Sequence, residues 1–202
     1  LASPYSDPET GQTCQGCHMP TVDYAYFVFP EMGGNPRNPD RLVSHRMPGT
    51  LDETLLQNTA TVEVDAAPEG DRLRVTVRVT NTGAGHHIPT DNPLRNVILL
   101  VRATAAAGSP LTPLDGPTIP AWGGVGDPAT GHYAGLPGVL YAKVLADFYT
   151  GETPSYTYWR QSVIVSDNRI PALATDETAY VFALPPGGGP VTVEAELLLR
   201  RA

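Results

Sequence analysis

The chain has 202 residues, enough to bury a sizeable core in one or two domains. Its formal net charge of -8 argues against nucleic acid and against an anionic membrane surface as partners. No run of about 18 apolar residues occurs, so nothing reads as a membrane-spanning helix, while 20 glycines and 21 prolines mark a loop-rich chain.

The first feature along the chain is Cys14-Gln15-Gly16-Cys17-His18. Two cysteines two residues apart, followed at once by histidine, read as the attachment site of a single covalent c-type haem. Each thiol adds across one vinyl group, the short spacer lets both reach one edge of the porphyrin, and the next residue falls beneath the iron as its proximal ligand. Three other readings fit less well. Structural zinc wants four ligands and no second cysteine pair exists; no βαβ pattern accompanies a thioredoxin-like pair; and a Cys14–Cys17 disulfide would close a tiny, strained loop. Haem attachment consumes both thiols. Because covalent haem attachment takes place outside the cytoplasm in bacteria and archaea, the chain is expected to be exported, to the periplasm or the extracellular space. Its start at Leu1 rather than Met fits a processed or truncated end.

Residues 1–58 form a haem-bearing segment with little periodicity and many breakers, among them Pro30, Gly33, Gly34, Pro36, Pro39, Pro48 and Gly49. A short helix is expected over Leu51–Thr59, with Thr50 as N-cap and Glu53 completing a capping box. A stretch this irregular builds no apolar core of its own. A haem would supply one, against which Val22, Tyr24, Tyr26, Phe27, Val28 and Phe29 can lie; on pattern alone, Tyr24–Phe29 reads equally as a strand.

From residue 59 to 202 the pattern is β. Thr61–Asp65 alternates, and Leu73, Val75, Val77 and Val79 share one face of a second strand. Pro68-Glu69-Gly70-Asp71 turns between them, predicting a hairpin. Asn96–Thr104 is nearly continuously apolar, which suits burial on both faces. A Gly/Pro/Ala-rich insertion, 105–138, is too long for an ordinary loop. Strands are expected again at Val139–Phe148, Trp159–Ser166, Thr178–Leu184 and Val191–Leu199, the last with Val191, Val193, Ala195 and Leu197 facing inward. The fold class is therefore mainly β: an irregular N-terminal haem-binding segment followed by an antiparallel β-sandwich.

The ligand opposite His18 decides the chemistry. Two strong ligands close the iron for electron transfer, whereas an open position admits a small molecule. Met19 adjoins His18 and comes from the same side. His45 lies in Ser44-His45-Arg46-Met47-Pro48-Gly49, in the same segment as the haem motif; it is the distal ligand or a solvated side chain. His86 and His87 follow the second strand in Gly83-Ala84-Gly85-His86-His87-Ile88-Pro89-Thr90, a tight bend that holds a hydrogen-bonded histidine or presents an imidazole to a haem. His132 reads as a surface residue of the insertion. Asp91, Asn92 and nearby carbonyls offer oxygen donors for calcium, and an Asx turn ahead of Pro93 explains them equally well.

Taken together, CQGCHMP at 14–20, SHRMPG at 44–49, VTNTGAGHHIPT at 79–90, YAGLPGVLYAKVL at 133–145, SDNRIPA at 166–172 and VTVEAELLLRR at 191–201 resemble the exported multihaem c-type cytochromes of the cytochrome c554-like group, specifically their last haem motif and C-terminal β-domain. The resemblance implies periplasmic or extracellular electron transfer with bis-histidine, low-spin haem. It implies His45 as distal ligand, His86 as a further iron-binding or haem-contacting residue, and Arg169 as a brace for loops of the sandwich. Such proteins usually carry several haem motifs and this chain has one, which leaves a histidine in surplus. His86 is then structural, or His45 or His86 ligates the haem of an adjoining subunit. The expectation is an electron-transfer protein rather than an enzyme, one unit of a relay, homo-oligomer or filament. Its partners would be redox proteins or identical subunits in close haem–haem contact, with exposed strand edges as interfaces. The alternatives are a haem enzyme or small-ligand sensor with an open sixth position, and a surface-binding β-module with an accessory haem.

Overall fold

A computed structural model describes residues 3–7, 9, 11–90, 92–106 and 108–200, in two compact units, Leu1–Asn58 and Thr59–Ala202. Asp91, named above as a calcium donor, lies outside the described residues.

The first unit has little regular structure. Its helices are α1, Cys14–His18, and α2, Glu53–Gln57. Three 3₁₀ turns, Pro4–Ser6, Pro30–Met32 and Pro39–Arg41, each begin with proline, whose missing N–H and fixed φ suit that position. Helix α2 is shorter than the sequence suggests and its cap is Asp52, not Thr50: the Asp52 carboxylate accepts the Leu55 N–H at 2.8 Å. Tyr24–Phe29 is a run of bends rather than a strand. The chain folds back there so tightly that a Cβ on Gly34 would sit 1.7 Å from the Val28 carbonyl oxygen, an approach only glycine permits. Among the described residues of this unit Leu42 alone is buried.

The second unit is mainly β, and every pairing between its strands is antiparallel. Strands β1 (Thr61–Glu69), β2 (Arg72–Thr80), β8 (Thr175–Ala183) and β4 (Pro113–Asp115) form one sheet in the order β1-β2-β8-β4. Strands β5 (Gly138–Tyr141), β3 (Asn96–Ala105) and β9 (Val191–Arg200) form a second, in the order β5-β3-β9. Strands β6 (Lys143–Asp147) and β7 (Ser162–Asp167) make a separate two-stranded ribbon. The β1–β2 hairpin turns on two residues, Gly70 and Asp71; Glu69 still pairs with Arg72, and Gly70 takes φ +66°, the left-handed conformation a tight hairpin demands.

The two larger sheets share one core. Leu73, Val75, Val77 and Val79 from β2 and Tyr180 and Phe182 from β8 meet Val97, Leu99, Val101 and Ala103 from β3. Alternate residues of β9, Val191 to Leu199, close it at the side. The opposite face of β3 is also buried: Ile98 and Leu100 join Ile119, Leu140, Ala142 and Val144 in a second cluster. The 105–138 insertion supplies that cover, with Ile119 inserted and Tyr133 and Leu136 beside it. Two apolar neighbours explain why β3 is apolar at successive positions. The expected strand 139–148 is instead two strands in different sheets, broken at Ala142. Asn168 spans the break: its side chain accepts the Ala142 N–H at 2.9 Å and donates to the Leu140 carbonyl at 3.0 Å.

Candidate haem-binding site

The haem motif is an N-capped single turn of helix. The Thr13 hydroxyl accepts the Gly16 N–H at 3.1 Å, satisfying one of the amides orphaned at the start of α1. In helical spacing Cys14, Cys17 and His18 stand at i, i+3 and i+4, which puts all three on one face. Cys14 is exposed, Cys17 half-buried, and the two are not joined in a disulfide. The Cys17 thiol lies 3.0 Å from Gln12 Oε1.

His18 is half-buried and fixed in orientation. Its Nδ1 is 2.6 Å from the carbonyl oxygen of Pro48, thirty residues away. With Nδ1 protonated and donating to that carbonyl, the ring's lone pair falls on Nε2. That tautomer and that backbone partner are what metal-ligating histidines characteristically have. A second tie holds the same two stretches together. The Ser44 N–H donates to the Pro20 carbonyl at 2.8 Å, the Val22 N–H to the Leu42 carbonyl at 3.1 Å, and Thr21 pairs with Val43.

His45 therefore sits in a loop clamped at both ends against the haem motif, by Ser44 to Pro20 and by Pro48 to His18. Its side chain is exposed. Met47, at the same loop, takes φ +49°, so the backbone reverses between His45 and the Pro48 carbonyl. The fold thus brings the His45 stretch to the haem motif and leaves the imidazole in solvent.

His86 belongs to the second unit and is exposed there. Its Nδ1 is 2.9 Å from the His87 carbonyl. The loop that carries it is organised by Asn81, fully buried at the end of β2. The Asn81 amide donates to the His86 carbonyl at 2.8 Å and to the Ile170 carbonyl at 3.1 Å, while its oxygen accepts the Ala84 N–H at 3.1 Å. Ile88 then pairs with Ile170. Arg169, next to that pairing, forms a two-point ion pair with Asp167 at 2.7 and 2.6 Å. The guanidinium holds the Asp167 carboxyl below the usual carboxylate range. His132 is not the surface residue the sequence suggests. It is half-buried against Gly124 and Gly126, and its enclosed Nδ1 has no hydrogen-bond partner.

A porphyrin brings four equatorial nitrogens and asks the protein for two thiols, one or two axial donors and an apolar bed. Among the described residues no group of three or more His, Cys, Asp or Glu could hold a bare metal ion. The first unit does offer the apolar bed: Tyr24, Phe27, Val28, Phe29, Met32, Met47 and Leu51 are all exposed, and among its described residues only Leu42 is buried. Edge-to-face contacts pair Tyr24 with Phe27 and, tilted, Tyr26 with Phe29. Exposed rings in the same unit as two thiols and an oriented imidazole fit a covalent haem, which would cover such apolar surface.

Comparison with known proteins adds a fold. No protein-family model matches the chain, and no curated protein matches it. Among solved structures it is similar to a penta-heme cytochrome c552 from Thermochromatium tepidum, with a TM-score of 0.59 over 96% of this chain at 22% identity. The chain has a multihaem-cytochrome-like fold. It spans 41% of that structure's length, and the match does not single out the c554-like group that the sequence resembles. Sequence reasoning missed Asn81 and Asn168, although both lie in the segments that carry that resemblance. Each directly follows a strand, β2 or β7, where an asparagine side chain can bond backbone groups that lack a ladder partner.

Proposed function

We propose that this chain is an electron-transfer protein carrying one haem c on Cys14 and Cys17, with His18 as proximal and His45 as distal ligand. The observation that carries the reading is the His18 Nδ1 to Pro48 carbonyl contact, 2.6 Å, on a helical turn that places both thiols on the same face. A bound haem c supplies a one-electron iron couple. Cys14 and Cys17 would hold it as thioethers, the Pro48 carbonyl fixes the His18 ring, and the exposed Tyr24, Phe27 and Phe29 would supply apolar surface for it. Two histidine ligands would close the iron to small molecules, which favours transfer over catalysis. A single haem moves an electron only between neighbours, so the partners are redox proteins or further copies of this chain, in the periplasm or outside the cell. His86, exposed on its asparagine-braced loop, is the residue we assign to haem contact with such a neighbour.

The test uses the protein produced with a haem-attachment system. The expected outcome is a mass above the bare polypeptide by one haem, low-spin bands in the reduced-minus-oxidised spectrum and no shift with carbon monoxide. His45→Ala is expected to open the iron to carbon monoxide, and His86→Ala to leave the isolated protein's spectrum unchanged. A mass equal to the bare polypeptide would overturn attachment; carbon monoxide binding by the unaltered protein would overturn bis-histidine ligation.

A further inference from the structure

The β6–β7 ribbon carries apolar surface that the fold leaves uncovered. All six residues of β7 are exposed, with Val163, Ile164 and Val165 between 45% and 64% accessible. At the end where β6 leaves and β7 enters, Tyr149, Tyr158 and Trp159 are 69% to 82% accessible. The Phe148 N–H to Gln161 carbonyl bond, 3.0 Å, ties these ring-bearing stretches together. The two edges of the ribbon differ. The outer edge of β6 is covered by the following loop, through Asp147 N–H to Glu152 carbonyl and Leu145 carbonyl to Ser155 N–H at 3.0 and 2.7 Å. Among the described residues no strand pairs the outer edge of β7.

The chemistry of this surface narrows its occupant. The three rings, at roughly 200 Å² each, expose about 450 Å². Side chains alternate between the two faces of β7, so the aliphatic residues of one face and the neighbouring Phe148, 54% accessible, extend the patch toward the roughly 800 Å² that each partner gives to a stable interface. That is more than a typical monomer leaves open. The patch is also electrically neutral, although the chain carries -8. Asp147 pairs with Arg160 at 3.4 Å and Asp167 with Arg169 at 2.6 Å, and the two remaining charges, Lys143 on β6 and Glu152 in the connecting loop, are of opposite sign. A transient redox encounter relies on small, polar, charge-steered contacts. A neutral apolar surface instead meets its own image without like-charge repulsion. The ribbon's register shifts between Val144 and Leu145, leaving Val165 as an extra residue. Such a bulge twists an edge and works against simple strand-to-strand addition, so contact through side chains is the mode that fits.

We propose that a second copy of this chain docks on the β6–β7 ribbon, face to face about a two-fold axis, to give a closed dimer. In such a contact the same surface serves both copies and nothing is left to extend a filament. The proposal needs no haem, and its test is separable from the haem reading.

The experiment is sedimentation velocity and light scattering on the haem-loaded full chain. The unaltered protein is expected to be dimeric at micromolar concentration. Ile164→Lys sets two cations across the axis and is expected to raise the dimer dissociation constant by about 100-fold or more. Ile164→Glu is expected to do the same, and an equimolar mixture of the two variants to re-form a dimer. Because Ile164 is exposed, both variants are expected to retain the circular dichroism and Soret absorbance of the unaltered chain, which shows that loss of dimer is not loss of fold. A monomeric unaltered chain, a dimer that survives Ile164→Lys, or a mixture that stays monomeric would overturn the proposal.

Discussion

Asn81 is the side chain on which the His86 loop turns, and its removal has a calculable effect. It is fully buried and makes three hydrogen bonds to backbone groups: the Ile170 carbonyl, which also accepts the Ile88 N–H, the His86 carbonyl and the Ala84 N–H. A hydrogen bond contributes about 1 kcal/mol net, and a buried partner left unsatisfied costs at least that much. Asn81→Ala is therefore expected to destabilise the β unit by about 3 kcal/mol, a large part of the ~5–15 kcal/mol that holds a domain. Urea unfolding followed by circular dichroism measures it as a lower midpoint at unchanged slope. Asn81→Asp adds a pH signature. It keeps the acceptor for Ala84 and turns both donors into carboxylate oxygen facing carbonyl oxygen, which raises the folded-state pKa above the unfolded value of about 3.9. The unfolded chain then ionises first as pH rises and binds fewer protons than the folded one. The variant's deficit should be smallest below that pH and grow through the range above it. An Asn81→Ala chain within about 0.5 kcal/mol of the parent, the range of an unremarkable surface substitution, would refute the assignment of the loop's geometry to this residue.

Tyr141, buried in the core with its hydroxyl 2.7 Å from Asp176 Oδ2, is expected to lose about 1.5–3 kcal/mol on replacement by phenylalanine, as hydrogen bonds to charged groups do; thermal melting checks it. Burial also pushes the Tyr141 phenol well above its ordinary range, so ultraviolet titration should find it silent where exposed tyrosines ionise. Asp147 accepts the Thr150 and Tyr149 amides, which hold its carboxyl below the usual range. Its contribution is present above the unfolded pKa of about 3.9 and fades as pH falls through the lower folded value, so Asp147→Asn should flatten the acid limb of the stability profile measured by urea unfolding. In Cys14→Ala with Cys17→Ala, hydrogen exchange should find the amides of residues 11–58 unprotected and those of β2, β3 and β8 still protected; protection throughout residues 11–58 would show that this unit folds without a covalent haem.

The β strands were legible wherever one residue type filled one face. Leu73, Val75, Val77 and Val79 alternate with charged or hydroxyl residues, and they are buried in that order. The unbroken run from Asn96 predicted burial on both sides, and the insertion covers its second face. What periodicity could not show was the break at Ala142. Val139–Asp147 is equally apolar on either side of it, and the break is set by Asn168, twenty-six residues away. The cap of α2 was misplaced for a related reason: Thr50 and Asp52 are both competent caps, and tertiary context chose between them. At the candidate site the haem motif was read directly from its spacing. The Pro48 carbonyl that orients His18 could not be, because a backbone oxygen leaves no mark in a sequence. The uncovered ribbon was hidden too, since Val163-Ile164-Val165 has the composition of a core strand.

The two units obey different physical rules, and that contrast is the main argument for a cofactor. In the β unit, burial of alternating side chains between two sheets offsets the entropy of ordering the chain. In residues 11–58 the same entropy is opposed by one buried leucine, by turns that begin with proline, and by a few backbone ties to the haem motif. Proline lowers the cost by restricting the unfolded chain, yet it buries nothing. The apolar side chains that would do so, Phe27, Phe29, Met32 and Leu51 among them, are present but face outward. A segment with apolar residues and no core of its own is unfolded or is covered by something outside itself. The capped turn at Cys14–His18 and the tie from His18 to Pro48 are specific, long-range features that an unfolded segment has no use for. A large apolar body fixed by two thioethers would resolve both facts at once, and in this unit the cofactor and the hydrophobic core would then be the same object.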